Sequence, residues 1–160
     1  MSRRVWRAIG LATLVSGALD ICWAILLTLL FGREVAPMLR FVASGPFPSA
    51  TEMGAAGAVL GLAVHFALMA IMATVFMLLV RSRPRWLDKP WLTAVVFGLV
   101  TYVVMNLIVV PLRFHAPLPP KPVSIATQLF AHIVLVGLIF AFVARRQFVV
   151  QQDIVANASQ

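Results

Sequence analysis

Four apolar runs, each long enough to cross a bilayer and separated by short basic or proline-rich connectors, constrain this chain more than any other feature. A spanning helix needs about 20 mainly apolar residues. Residues 5–31, 53–80, 91–112 and 124–144 meet that requirement. Only 11% of the chain is charged against 62% hydrophobic, too little charge to cover the surface of a soluble domain. The expected fold is all-α: an integral membrane four-helix antiparallel bundle forming one domain over residues 1–150, with a short polar cytoplasmic tail over 151–160. Arg3, Arg4 and Arg7 ahead of the first run imitate a signal peptide. The run is too long for one and Asp20 interrupts it, so it reads as a retained helix.

The net charge of +8 would point to nucleic acid in a soluble protein. Here the basic residues cluster between apolar runs, the pattern that fixes membrane orientation, so the expected partner is the lipid bilayer and not nucleic acid. The N-terminus, the connector between the second and third runs (Arg81, Arg83, Arg85, Lys89) and the pair Arg145–Arg146 hold nine basic residues. The opposite side holds four: Arg33, Arg40, Arg113 and Lys121. By the positive-inside rule both termini face the cytoplasm, and Trp6, Trp86 and Trp91 fall at the cytoplasmic ends of three runs, as an aromatic belt requires. The expected location is the inner membrane of a bacterium.

On the outer side, residues 113–123 carry Pro117, Pro119, Pro120 and Pro122 and read as a stiff extended connector. Residues 32–52 are long for a turn. Val35, Met38, Leu39 and Val42 repeat at helical spacing there, which predicts a short interfacial helix, a hairpin that shields the bundle or a lid over a cavity. Ser49 and Glu52 have the spacing of a capping box opening the second span.

Each run also contains a polar residue deep in the apolar zone: Asp20, His65, Asn106 and His132. Such residues are costly in hydrocarbon and usually face a bundle interior. Small and polar neighbours at steps of three and four mark one stripe per helix: Gly10, Thr13, Gly17 and Asp20; Gly54, Gly57, Gly61 and His65; Gly98, Tyr102 and Asn106; Ser124, Gln128 and His132. The expectation is that these stripes meet, with Gly57 and Gly61 serving as a close-packing motif. At about 1.5 Å per residue, Asp20 and His65 lie roughly 16–18 Å below the outer ends of their runs. That matching depth predicts a direct Asp20–His65 hydrogen bond, with Asn106 and His132 in a shallower layer roughly 9–12 Å down.

The site residues read in this way are Asp20, His65, Asn106 and His132, with Tyr102, Gln128 and Thr13 secondary. An ionised Asp20 balanced by a protonated His65, or a neutral hydrogen-bonded pair, would each handle protons. Hence the first functional reading is a non-enzymatic membrane protein with a buried proton-linked site that binds or translocates a small solute. A homo-oligomer is expected with it, because one four-helix bundle encloses little cavity. The alternatives are a haem-binding redox subunit, with haem b held by His65 and His132, and an accessory subunit of a larger membrane complex. The first reading needs no cofactor, and no metal site is expected from the scattered depths of Asp20, His65 and His132. Cys22 is the single cysteine, so neither an internal disulfide nor a C-x-x-C redox couple can form. No phosphate-binding glycine loop and no G-x-S-x-G occurs, and no catalytic residue is expected.

Gly17-x-x-Asp20-Ile21, Val42-Ala43-Ser44-Gly45, Leu60-Gly61-x-x-x-His65-Phe66 and Tyr102-x-x-Met105-Asn106-x-x-Val109-Val110-Pro111-Leu112 together resemble a functionally uncharacterised family of small bacterial inner-membrane proteins. The resemblance touches three runs and the first outer loop. It implies a four-span inner-membrane fold and carries no activity, although its motifs coincide with Asp20, His65 and Asn106.

Overall fold

The computed structural model describes residues 2–150, and the expected tail over 151–160 lies outside them. Among the described residues the chain is all-helical, with four helices long and apolar enough to cross a membrane, the mark of a multi-pass membrane protein. They are α1 (Arg3–Leu30), α3 (Gly54–Ser82), α4 (Pro90–Phe114) and α5 (Pro122–Val149), with a shorter helix α2 (Val35–Ser44) between the first two. Prolines open α4 and α5, where a fixed φ suits the first helical turn and the missing N–H would have had no partner. His115 closes α4 in the left-handed conformation at φ 52°.

Helix α1 packs on α3 and α5, and α5 packs on α4. Large apolar side chains cover the outward faces: Leu30 and Val59 are each 70% exposed, the arrangement of a surface solvated by lipid. Aliphatic and aromatic residues fill the interior at the end where α1 begins and α3 finishes. Phe76 lies there with its ring centroid 4.8 Å from Phe97 and 5.8 Å from Phe140, packed among Val5, Met77, Val80 and Leu87. Trp6, Trp86 and Trp91 are all exposed around this end. Two close backbone approaches bring α4 and α5 together. A Cβ on Gly98 would lie 2.7 Å from the His132 carbonyl oxygen, and one on Gly137 would overlap the Ala94 carbonyl. Along the same contact both helices widen into π-type turns, over Val103–Val109 and Ala131–Leu138. Each π stretch carries one polar residue, Asn106 or His132, consistent with the frequent placement of such turns at polar sites.

In the connection between α1 and α3 the expected short helix forms, and it packs along α3 as a hairpin shielding the bundle would. Gly57 and Gly61 receive it: a Cβ on Gly61 would overlap the Leu39 carbonyl, and one on Gly57 the Ala50 carbonyl. The glycine motif therefore seats α2 and the 3₁₀ turn Pro48–Glu52, not another span. Gly61 is seven residues into α3, so α2 reaches about 10 Å below that helix's start. The expected capping box is absent. Met53 occupies the N-cap of α3 with no side-chain bond, and Gly54 enters the helix at φ 56°.

Arg113, counted above only as a loop charge, holds the C-terminal end of α2. Its Nε and Nη2 donate to the carbonyls of Gly45 (2.7 Å) and Ser44 (2.8 Å). A cation at the carbonyl end of a helix is favoured by the dipole as well as by the hydrogen bonds. Phe41 and Phe114 stack beside it with centroids 4.2 Å apart.

Candidate functional site

Gly17 has no side chain, so the His65–Phe66 turn of α3 comes directly against the α1 backbone. A Cβ there would lie 2.7 Å from the Phe66 ring. His65 Nε2 consequently donates to the Gly17 carbonyl at 2.9 Å, which leaves Nδ1 facing Asp20. The separation from Nδ1 to Asp20 Oδ2 is 3.9 Å, within ion-pair range but too long for a hydrogen bond. The direct Asp20–His65 hydrogen bond expected from matching depths is thus not made. The imidazole takes the bare carbonyl one turn away and stands beside the carboxyl without bonding it. Asp20 keeps 22% of its side-chain surface open and His65 only 11%, so the acid is the accessible member.

The second pair is a closed relay. Thr101 Oγ1 donates to its own helix at the Phe97 and Gly98 carbonyls, both at 3.0 Å. With its proton so committed, it accepts from His132 Nδ1 at 3.1 Å. That places the imidazole proton on Nδ1, and Nε2 accepts from Asn106 Nδ2 at 3.0 Å. Tyr102 sets its ring edgewise against His132 with centroids 6.2 Å apart. Both imidazole nitrogens are satisfied by α4, a bonding pattern suited to holding two helices together.

The contacts therefore resolve the four polar residues into two pairs, Asp20 beside His65 within ion-pair range between α1 and α3, and Asn106 hydrogen-bonded to His132 between α4 and α5. Among the described residues no three His, Cys, Asp or Glu side chains gather as metal ligands. For bis-histidine haem, each imidazole already engages Nε2 on a different partner helix, and both would have to release those bonds. Gln128 is half-buried and makes no side-chain hydrogen bond among the described residues. Three participants escaped the sequence reading. Thr101 carries no sign, because a threonine in a helix normally bonds its own backbone. Ser16 Oγ donates to the Leu135 carbonyl at 2.6 Å, from a position between the stripe residues. Trp23 donates to the Thr127 carbonyl at 3.3 Å and packs on Phe130 at 4.8 Å. No family model matches the chain, nor does any curated protein or solved structure.

Thr13 lies on the same α1 stripe as Asp20, and its buried hydroxyl has no partner among the described residues. A buried hydroxyl left unbonded costs about 1–3 kcal/mol. Thr13→Val, which keeps the shape and removes the hydroxyl, is expected to raise the unfolding temperature in detergent. A lowered temperature would mean that the hydroxyl is bonded.

Proposed function

We propose that the chain is a four-span protein of a bacterial inner membrane, with alternating helix directions and both termini cytoplasmic, belonging to the small family it resembles. In this reading the Asp20–His65 pair takes up and releases a proton while the protein binds or moves a small solute, and the protein works as a homo-oligomer. The charge asymmetry of the connectors supports the orientation. One observation carries the proton site: His65 Nδ1, its ring fixed by the Nε2 bond to Gly17, faces an accessible carboxyl 3.9 Å away. Fixing one nitrogen on a carbonyl leaves the other as the ring position that exchanges a proton with the acid. A small side-chain rotation of Asp20 closes the distance, so proton occupancy and the position of the carboxyl are linked. A solute that engages the carboxyl competes with that proton, the minimal requirement for coupling.

Infrared difference spectroscopy of the protein in lipid films tests this directly. Among the described residues Glu34, Glu52 and Asp88 are exposed and Asp20 is half-buried, so Asp20→Asn decides whether the carbonyl stretch of a shielded protonated carboxyl is its own. The band is expected to appear and disappear as the pH is swept, and to be absent from Asp20→Asn at unchanged helix content. A folded protein with no titrating buried carboxyl, or a band that survives Asp20→Asn, overturns the reading.

A further inference from the structure

Away from the polar pairs, a half-open cavity of about 420 Å³ lies where the start of α1, the end of α3, the Pro84–Asp88 turn and the end of α5 converge. Its volume falls within the roughly 300–1,000 Å³ of small-molecule pockets. The floor is apolar: Val5, Val80 and Leu87 line it and are almost fully buried. The rim is cationic and polar. Arg4 and Arg81 line it from two helices, and Gln147, itself only 9% exposed, lines it from a third. Among the described residues no acid lines the cavity and neither arginine has an ion-pair partner.

We propose that this cavity binds one anionic phospholipid, its phosphate between Arg4 and Arg81 and the upper part of its acyl region against Val5, Val80 and Leu87. The chemistry selects that ligand on two grounds. Two guanidiniums on separate helices, with no acid beside them among the described residues, call for a phosphate-bearing group, which arginine recognises through paired N–H donors. An apolar floor at the end of membrane-length helices lies at the depth where a headgroup meets its chains, whichever leaflet this end faces. Basic pockets between spanning helices are the general form of anionic headgroup sites. The site is separate from Asp20 and His65, and does not depend on the proton reading.

Native mass spectrometry of the full chain in detergent, with phosphatidylglycerol or phosphatidylcholine added, supplies the test. The expected result is one tightly retained phosphatidylglycerol per chain and no comparable retention of phosphatidylcholine. Arg4→Gln with Arg81→Gln is expected to weaken retention about 30-fold, the effect of two arginines at about 1 kcal/mol each near an anionic surface. Arg83→Gln with Arg85→Gln removes the same charge from the same end without touching the cavity lining, and should retain the lipid. Equal loss in that control would make the attraction one of overall charge and overturn the site. Equal retention of phosphatidylcholine, or displacement by inorganic phosphate at matched concentration, would overturn the lipid as its occupant.

Discussion

Gly61→Ala is expected to lift α2 from α3 and to be among the most damaging single-methyl additions this chain can receive. The added carbon would overlap a backbone atom, the Leu39 carbonyl, and not the yielding end of a side chain. Overpacking in a well-filled interior typically costs about 1–3 kcal/mol, and more where backbone must move. Here the backbone is also tied at its C-terminal end, since Arg113 holds the carbonyls of Ser44 and Gly45. The helix cannot retreat from Gly61 without stretching those bonds, so a loss of roughly 3 kcal/mol is the expected size. Two measurements separate local detachment from general unfolding. The unfolding temperature should fall, and trypsin should newly cut after Arg40, whose stem packs near Gly57 in the parent. Gly10→Ala is the control, because a Cβ at Gly10 meets nothing within 4 Å. Should Gly61→Ala behave like Gly10→Ala in both assays, α2 is not seated on that glycine.

That contrast between two glycines marks where sequence stops being informative. Periodicity assigned both Gly10 and Gly61 to inward stripes. Which surface a stripe meets is a tertiary fact, and the partner of Gly61 proved to be a ten-residue helix from the neighbouring loop. The four long helices were legible because hydropathy summed over about 20 residues is a property of composition, insensitive to packing. Depth arithmetic placed Asp20 beside His65 and Asn106 beside His132, because antiparallel expectations and a fixed rise leave few choices. It could not say which acceptor an imidazole would take. His65 bonds a backbone carbonyl exposed by Gly17, and His132 needs a threonine whose own helix bonds hide it from any pattern. The helix-end role of Arg113 was hidden for a related reason: a rule that counts charges for topology treats every loop arginine alike, while this one caps a helix.

His65→Leu should destabilise the protein more than Asp20→Leu, and the double variant should recover most of the difference. The asymmetry follows from what each change leaves behind. Without Asp20, His65 keeps its bond to the Gly17 carbonyl, so little is orphaned. Without His65, Asp20 faces an apolar side chain where its only ion-pair partner among the described residues had been. Removing one member of a fully enclosed pair costs roughly 3–5 kcal/mol, because the remaining charge stays buried without compensation. The 22% exposure of Asp20 gives it partial relief, so about 2 kcal/mol is the expected coupling. Reversible unfolding in mixed detergent gives all four corners of the cycle, read as one interaction energy. Additive losses, or a His65→Leu variant no weaker than Asp20→Leu, would mean that the two side chains are neighbours without being partners. A coupling of the expected size would instead tie the stability of the α1–α3 contact to the ionisation of its acid. Any solute that engages Asp20 would then act on the helix packing as well as on the proton.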